Sequence, residues 1–494
     1  LLVILIVSLL SVLATSICGH PQAIPREKAA IFPMWSVPTH FNPLAPNPGS
    51  GLNLVYEPLF MYDDINLKLI PWLAESAEWI DDSTLEVKLR EAARWQDGQP
   101  LTAEDVKYTY ELGKRHPEIA MSQPRVIWVY VDRIEIVDKH TLRFHLKPNV
   151  QTKLALKSLL FCRILPKHIW EKVEANYTDL SEFKNIYPVG SGPYKIIHHD
   201  ENRVILERYD DWWGATVPPT PDNPWLGKLP APEYVIRNRV TGNEECARFA
   251  LAGEQDATCF LPRVWEHFDE GIVTWFKRPP FLGPTPKRTG GFIFNLEHYP
   301  INVTVVRKAL AFAIDRQAIC ERAFSMYAEP VDITFIRPDS PLAFLRSEEA
   351  IRMLDIKYNV SYAKQLLDEA NIIDRDGDGI REMPDGTPLV FDATVPEGWT
   401  DWQVALEMLS EYAKAIGIKI NTYYTDATTW QENVRAGNFD ITNWQGNAWT
   451  ITGVWDFYRT LLDSRTPQWP MTVSYTHLRA HETSLHLVCR LLLE

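Results

Sequence analysis

Short segments in the first half of the chain alternate between apolar and polar residues with a period of two. Residues 83–89 alternate in this way, and so do residues 133–137 and 141–146. Alternation of this kind is typical of strands that bury one face. The second and third segments are joined by Asp138-Lys139-His140, so together they predict a β-hairpin.

A helix is predicted between the first and the second of these strands. Thr102 precedes Ala103-Glu104-Asp105, and the segment continues as a helix to about Gly113. A Thr hydroxyl and a first-turn carboxylate can satisfy the N–H groups that a helix leaves exposed at its start. The sequence therefore predicts a capped helix from residue 102.

From residue 234 onwards, strands alternate with helices. A strand is predicted at 291–295 and a long amphipathic helix at 305–324. Further helices at 361–370 and 401–416 are each followed by an apolar strand. This alternation is typical of α/β units, so the second part of the chain is predicted to form an α/β lobe.

Length and charge restrict the possible architectures and partners. A chain of 494 residues is long enough for two or three folding units. The formal net charge of -14 disfavours a nucleic acid or an anionic membrane as partner, because either would favour a basic face. The 18 tryptophans either fill large cores or provide the aromatic platforms of a binding site.

The chain begins with an apolar run at residues 1–14. This run is shorter than a typical membrane span and resembles the central region of a signal peptide. We interpret residues 1–23 as a signal peptide, which predicts a periplasmic or extracellular protein. Lipid anchoring at Cys18 is the alternative, but Ile17 stands where a lipobox has Gly or Ala.

The end of the chain has a different composition. Residues 472–494 lack the Trp, Pro and Asp of the preceding sequence, contain three His and turn basic. We interpret this segment as a non-native tail, so the C-terminal part of the fold is expected to be truncated.

The sequence lacks the motifs of common enzyme and cofactor sites. It contains no GxGxxG, GxxxxGK[ST], GxSxG or HExxH, and we predict neither a cofactor nor a catalytic set. The six Cys show no metal-type spacing. Buried free thiols are the main interpretation for most of them, because a chain of this size can fold without disulfides, and a disulfide between Cys246 and Cys259, the nearest pair, is the alternative.

One acidic segment has the pattern of a metal-binding loop. Asp374, Asp376 and Asp378 alternate along the chain with Gly379 at the sixth position, and Asp385 stands where a calcium loop has a bidentate Glu. A strand-like run follows, where a helix-loop-helix site would have a helix. An Asp/Gly-rich surface turn is therefore the main interpretation, and calcium binding is the alternative.

Four ordered motifs carry a family resemblance. They are Asn53-Leu54-Val55-Tyr56-Glu57-Pro58-Leu59-Phe60, Arg94-Trp95-Gln96-Asp97-Gly98 with Leu101-Thr102-Ala103-Glu104-Asp105-Val106, Pro188-Val189-Gly190-Ser191-Gly192-Pro193-Tyr194, and Arg307-Lys308-Ala309-Leu310 with Ala313-Ile314-Asp315-Arg316. In this order and spacing, over residues 35–469, the chain resembles family 5 of the bacterial extracellular solute-binding proteins. Members of that family bind dipeptides, oligopeptides, nickel or oligosaccharides.

The resemblance implies an α/β fold with two lobes, the class II type of periplasmic-binding-protein fold, with an extra subdomain in the first lobe. We assign the first lobe to residues 24–240, its extra subdomain to about 60–180, and the second lobe to 241–471. The implied function is that of an ABC-importer binding protein and not of an enzyme. Such a protein is a monomer that captures a small molecule by lobe closure and delivers it to the permease subunits in the membrane.

The resemblance also bears on the ligand. In peptide binders of the family, an Asp three residues after a Trp captures the ammonium group of the peptide. The matching stretch here is Trp444-Gln445-Gly446-Asn447, so an amide replaces the carboxylate. An ammonium buried without a carboxylate is costly, whereas an amide can donate to and accept from sugar hydroxyls. An oligosaccharide, such as a β-linked gluco- or manno-oligomer, is therefore the favoured ligand.

The predicted ligand-binding side chains lie in segments that match the family. They are Trp35, Tyr56, Glu57, Trp399, Trp402, Trp444, Asn447 and Trp449. The tryptophans can offer apolar faces to pyranose rings, and Trp35 lies in a stretch that resembles the oligosaccharide-binding branch of the family.

Three other interpretations stay open. A peptide is the alternative ligand, because Glu57 is a second carboxylate that could meet its ammonium group. Nickel and haem are disfavoured, since no His/Cys cluster falls in the matched segments. A glycosidase is the alternative class of protein, and it would need two carboxylates held across a cleft.

Overall fold

The computed structural model describes residues 24–36, 38–63, 66, 68–150, 161–257, 260–274, 276–281, 289–334, 336, 338, 342–354 and 356–446, with the backbone alone at 289–290, 354 and 444–446. The predicted signal peptide, with Cys18, and the tail at 472–494 lie outside these ranges. Among the helices that are described, none combines the length and apolarity needed to cross a membrane.

The strands of the described residues form four sheets. In chain order the strands are β1 (Ala29–Met34), β2 (Phe60–Asp63), β3 (Lys68–Pro71), β4 (Ala74–Trp79), β5 (Thr84–Leu89), β6 (Val131–Ile136), β7 (Thr141–Leu146), β8 (Tyr194–His199), β9 (Arg203–Arg208), β10 (Tyr234–Arg239), β11 (Thr289–Phe294), β12 (Val390–Pro396), β13 (Lys419–Thr425) and β14 (Ile441–Gly446). The α-helices are α1 (Ala103–Arg115), α2 (Ser122–Val126), α3 (Lys167–Asn176), α4 (Asn243–Leu251), α5 (Thr304–Ala313), α6 (Arg316–Arg322), α7 (Glu348–Leu354), α8 (Val360–Glu369), α9 (Thr400–Lys414) and α10 (Ala427–Ala436).

Two of the sheets belong to one continuous hydrophobic core, which we call the first lobe. The first sheet has the order β1-β10-β9-β8, and β1 runs parallel to β10. The second has the order β4-β5-β7-β6 and is antiparallel throughout. This sheet lies within the predicted extra subdomain, and it contains the predicted hairpin as the pair β6 and β7.

The second lobe is built around the sheet β11-β14-β12-β13. In it β12 runs parallel to both β13 and β14, while β11 pairs antiparallel with β14. Apolar residues of α5, α8 and α9 pack with those of β12 and β13 in a separate core. The α/β character predicted for this part of the chain is therefore confirmed.

The contacts of α4 bear on where the first lobe ends. Val240 N–H donates to Met34 O at the end of β1, and Asp256 N–H donates to Ile31 O within β1. Both ends of α4 are thus tied to the first sheet. The predicted boundary at residue 240 stays an interpretation, and these contacts favour one after residue 256.

The prediction of a single helix at 305–324 is wrong. The structure has two helices there, α5 and α6, separated at Ile314 and Asp315. Asp315 is extended, and its carboxylate accepts the Ala318 N–H at 3.0 Å. An Asp that caps a new helix in this way competes with continuation of the preceding one, because its side chain replaces a helical backbone partner.

Helix α1 begins with the predicted cap. The Asp105 carboxylate accepts the Thr102 N–H at 2.8 Å and also the Lys167 N–H at 2.9 Å. Asp105 itself is buried, and both hydrogen bonds are partly buried. The cap therefore joins α1 to the start of α3.

Replacing Asp105 by alanine is expected to lower the free energy of unfolding by about 2 kcal/mol, because two backbone donors lose their acceptor. Urea unfolding followed by circular dichroism measures the loss. Glu104→Ala is the matched control, since Glu104 is an exposed first-turn carboxylate with a surface ion pair to Lys167 and is expected to cost less than about 0.5 kcal/mol. Equal losses in the two variants would contradict the role given to Asp105.

Candidate functional site

The carboxyl ends of parallel strands from both lobes face one another. In the first lobe, β1 leads into Trp35 and β10 leads into Thr241. In the second lobe, β12 leads into Gly398, and β13 ends beside it, where Glu397 N–H donates to Thr425 O at 2.7 Å. The Asn243 N–H donates to Gly398 O at 2.9 Å, which brings the two edges into contact. Ligands of α/β proteins bind at such carboxyl edges, so we take the junction of these two edges, which we call the cleft, as the candidate site.

Four tryptophans form an aromatic cluster at the cleft. The ring of Trp35 lies 5.9 Å from that of Trp399, measured between centroids, and so joins the two lobes. Trp399 packs edge-on against Trp402 at 4.8 Å, and both contact Trp430, at 6.1 and 5.7 Å. Trp35 is 39% exposed, whereas Trp402 and Trp430 are 6% and 7% exposed. A ligand can therefore reach the exposed Trp35 and the half-buried Trp399, whereas Trp402 and Trp430 are buried beneath them.

A hydrogen-bonded chain fixes the closed end of this cluster. Trp430 Nε1–H donates to Thr442 Oγ1 at 3.0 Å, and the Thr442 hydroxyl donates to Thr394 O at 2.7 Å. Thr394 and Thr442 lie opposite each other on β12 and β14. The orientation of Trp430 is thus set by the central strands of the second lobe, and Trp399 and Trp402 pack against a fixed ring.

The other predicted tryptophans and the predicted amide fall at the same edge or beyond the described residues. Trp444 lies in β14, and its backbone is paired with Gly291 of β11. Strand β14 runs parallel to β12 and ends at Gly446, on the carboxyl edge of the sheet. Asn447 and Trp449 lie outside the described residues. The roles of Trp444, Asn447 and Trp449 stay predictions.

Tyr56 and Glu57 do not lie at this cleft edge. Both are almost fully buried in the first lobe, with 1% and 2% exposure. The Tyr56 hydroxyl accepts a hydrogen bond from Asn185 Nδ2 at 3.0 Å, and burial raises the pKa of this phenol. In this arrangement neither side chain is open to a ligand in the cleft, which favours structural roles for both.

Glu57 holds three indole rings together. Its Oε1 accepts hydrogen bonds from the Nε1–H groups of Trp72 and Trp212 at 2.9 and 3.2 Å. Its Oε2 accepts one from Trp213 Nε1–H at 2.9 Å. Burial raises the pKa of Glu57 to about 7, and the indole hydrogen bonds oppose that rise. The carboxylate that could have met a peptide ammonium is therefore already engaged.

The acidic loop at 374–382 closes on itself. The carboxylates of Asp374, Asp376 and Asp378 lie close enough together to share an ion, and Glu382 joins them. Asp385, which the sequence pattern placed in this set, instead accepts a hydrogen bond from the Tyr299 hydroxyl at 2.7 Å. Asp374 accepts the N–H groups of residues 377 and 379, at 2.7 and 2.9 Å. These bonds are those of an Asp/Gly-rich turn.

The alternative of a Cys246–Cys259 disulfide lies partly outside the described residues, because Cys259 is not among them. Cys246 is buried and its sulfur accepts a hydrogen bond from Gln255 Nε2 at 3.3 Å. Cys162 is a buried free thiol, and Cys320 is a partly buried one whose pKa burial raises to about 12. Burial raises the pKa of the Cys162 thiol as well, which disfavours the reactive thiolate form at both residues.

Three residues of the cleft were not predicted from the sequence. They are Asn243, Asp401 and Trp430. The Asn243 amide donates to Asp401 Oδ1 at 2.8 Å, and the burial of Asp401 raises the pKa of its carboxyl. A local signal was available for Trp430, since it lies in the first turn of a helix that Asp426 caps directly after β13. For Asn243, no local pattern shows that it meets the turn after β12.

Comparisons with known proteins agree with this architecture. The sequence model of the bacterial extracellular solute-binding proteins, family 5 Middle, matches residues 68–468. The oligopeptide-binding protein AppA of Bacillus subtilis is 26% identical over 419 residues, which are 82% of this chain and 70% of AppA.

Two solved structures represent the structural likeness. One is the periplasmic oligopeptide-binding protein of an oligopeptide ABC transporter of Thermotoga maritima, with bound mannohexaose. It has a TM-score of 0.82 and 31% identity, and the match covers 96% of this chain and 86% of that one. The other is NikA of Brucella suis in complex with Fe(III)-EDTA, with a TM-score of 0.68, 20% identity, and coverage of 94% and 91%. The second likeness shows the two-lobed fold alone.

Proposed function

Because the chain belongs to family 5 of the bacterial extracellular solute-binding proteins, we propose that it captures an oligosaccharide between its lobes and delivers it to an ABC permease. Its relatives are binding components of transporters and not enzymes. We further propose that the protein is exported by the signal peptide at 1–23 and acts as a monomer in the periplasm or outside the cell.

The observation that carries the proposal is the pair of aromatic rings at the cleft. Trp35 comes from the first lobe and Trp399 from the second, and their centroids lie 5.9 Å apart. Aromatic rings supply large apolar faces at low cost in side-chain entropy, and the axial C–H faces of pyranose rings are apolar. Each lobe therefore offers a platform for a sugar ring, and lobe closure brings the two platforms together.

The charge of the site favours a neutral ligand. The predicted position of the ammonium-binding carboxylate is Asn447 in this chain. Glu57, the alternative carboxylate, is buried under three indole rings. At the cleft itself, Asp401 Oδ1 already accepts a hydrogen bond from the side-chain amide of Asn243. A buried ammonium without a partner would be costly, whereas sugar hydroxyls can bond to amides.

The relatives support both candidate ligands. The Thermotoga protein, at 31% identity, holds mannohexaose. AppA, at 26% identity, is an oligopeptide-binding protein, so a peptide is the second candidate for this chain. We favour the sugar because the tryptophan pair and the amide at 447 suit a neutral polyhydroxylated ligand better than a charged peptide terminus.

Lobe closure provides the mechanism of capture. A ligand that contacts both Trp35 and Trp399 has more contacts in the closed form than in the open form. Differential affinity of this kind is what drives closure. The closed form then presents a distinct surface to the permease subunits, and release requires reopening of the cleft.

A thermal-shift panel of oligosaccharides and peptides tests the proposal. A ligand at 100 times its Kd stabilises the folded state by about 2.7 kcal/mol, so a β-linked gluco- or manno-oligosaccharide is expected to raise the melting temperature by several degrees. Glucose and mannose serve as single-ring controls and are expected to give smaller shifts. Stabilisation by oligopeptides alone would overturn the sugar proposal, and turnover of any stabilising compound would overturn the assignment as a binder.

A further inference from the structure

The two lobes touch at a backbone contact between two glycines, one from each lobe. Gly242 follows β10 of the first lobe, and Gly398 follows β12 of the second. A Cβ atom on Gly242 would lie 2.9 Å from Gly398 O, and one on Gly398 would lie 2.9 Å from Thr241 O. Real Cβ contacts are longer than this, so the approach depends on glycine in both segments.

Hydrogen bonds of Asn243 reinforce this contact. Its backbone N–H donates to Gly398 O at 2.9 Å, and its side-chain amide donates to Asp401 Oδ1 at 2.8 Å. The same amide lies 3.3 Å from Thr400 Oγ1. One residue of the first lobe therefore bonds to three positions in a single turn of the second lobe.

Each side of the contact is anchored in its own sheet. In the first lobe, Val240 N–H donates to Met34 O at 3.0 Å, which ties the segment to β1. In the second lobe, Glu397 N–H donates to Thr425 O at 2.7 Å, which ties the turn to β13. Separation of the sheets at this point thus requires that the Asn243 bonds break.

We propose that Asn243, with the Gly242–Gly398 contact, is a latch that holds the lobes together when no ligand is bound. The latch lies next to the Trp35–Trp399 pair, so it controls access to the same cleft. It lowers the free energy of the closed state relative to the open state, as a ligand does, and its loss shifts the population toward the open state. The proposal rests on the lobe closure of the proposed function but not on the identity of the ligand.

Small-angle X-ray scattering of the ligand-free protein tests the latch. Asn243→Ala removes the side-chain bonds, and Gly242→Ala inserts a methyl group into the contact at a position of extended φ, -171°, that alanine accepts. Both variants are expected to have a larger radius of gyration than the wild type. Asn421→Ala is the matched control, because Asn421 Nδ2 donates to Asp392 Oδ1 at 2.9 Å within the sheet of one lobe. This control is expected to scatter like the wild type.

Two results would overturn the latch. One is equal scattering by the wild type, Asn243→Ala and Gly242→Ala; the other is equal expansion by Asn421→Ala. Circular dichroism checks that each variant is folded, and Gly242→Ala decides the question by itself if Asn243→Ala does not fold. No ligand enters the measurement, so failure of the sugar proposal and failure of the latch are separately visible.

Discussion

Replacing Glu57 by alanine is expected to lower the free energy of unfolding by about 4 kcal/mol or more, because two indole N–H groups lose their acceptor and a third keeps only the backbone carbonyl of Ser191, at 3.1 Å. The donors are those of Trp72, Trp212 and Trp213, at 2.9, 3.2 and 2.9 Å. Urea unfolding followed by tryptophan fluorescence measures the change. Glu86→Ala is the matched control, since Glu86 forms a partly exposed ion pair with Arg143. This substitution is expected to cost less than about 1 kcal/mol.

The Glu57→Gln variant is expected to change the pH dependence of stability. Burial raises the pKa of Glu57 from its ordinary value of 4.5 to about 7 in the folded protein. Between these values the folded state binds more protons than the unfolded state, so this group makes stability fall as pH rises. Between pH 5 and pH 8 the wild type should lose roughly 2–3 kcal/mol from this source. Glutamine does not titrate and should remove that loss.

The difference in unfolding free energy between wild type and Glu57→Gln, measured at pH 5 and at pH 8, isolates this contribution. As pH rises, the free energy of unfolding of the variant should increase relative to that of the wild type. A difference that is the same at both pH values would contradict a raised pKa for Glu57. A Glu57→Ala variant as stable as Glu86→Ala would contradict the role of Glu57 in holding the indoles.

Replacing Trp399 by alanine is expected to weaken ligand binding at least 30-fold, which corresponds to about 2 kcal/mol. Trp399 is half-buried, contacts Trp35 across the cleft, and rests on Trp402. Its removal takes away the platform of the second lobe and its contact with the first. Isothermal titration with the oligosaccharide that gives the largest thermal shift measures the change in Kd.

The matched control for this prediction is Trp225→Ala, because Trp225 is 50% exposed and lies in the connector before β10, in the first lobe. It should bind the same ligand with unchanged Kd. Trp399→Phe keeps an aromatic face and should retain a large part of the affinity. If Trp399→Ala folds and binds as tightly as Trp225→Ala, the aromatic pair is not the ligand platform.

Much of the fold could be predicted because its signals are local. The strand at 84–89, the hairpin of β6 and β7, and the cap at Thr102 each follow from residues within one segment. The break between α5 and α6 could not be predicted in the same way. Its apolar pattern continues across Asp315, and whether that Asp lies inside a helix or caps one depends on tertiary contacts.

The site could be predicted in part for a related reason. Trp35 and Trp399 each follow a strand, so a rule based on carboxyl edges finds them. Glu57 also lies in a family motif, but burial under Trp212 and Trp213 depends on packing between segments about 155 residues apart. Likewise, the pairing of β14 between β11 and β12 is what brings Thr442 to Trp430. Such crossings leave no local pattern.

Isothermal titration of the wild-type protein with mannohexaose and, separately, with a mixture of hexapeptides tests oligosaccharide capture most directly. We predict saturable one-site binding of the sugar, with loss of affinity in Trp399→Ala and not in Trp225→Ala. The peptides are predicted to give no saturable heat. Saturable binding of peptides, with none for mannohexaose or for β-linked gluco- or manno-oligosaccharides, would contradict oligosaccharide capture.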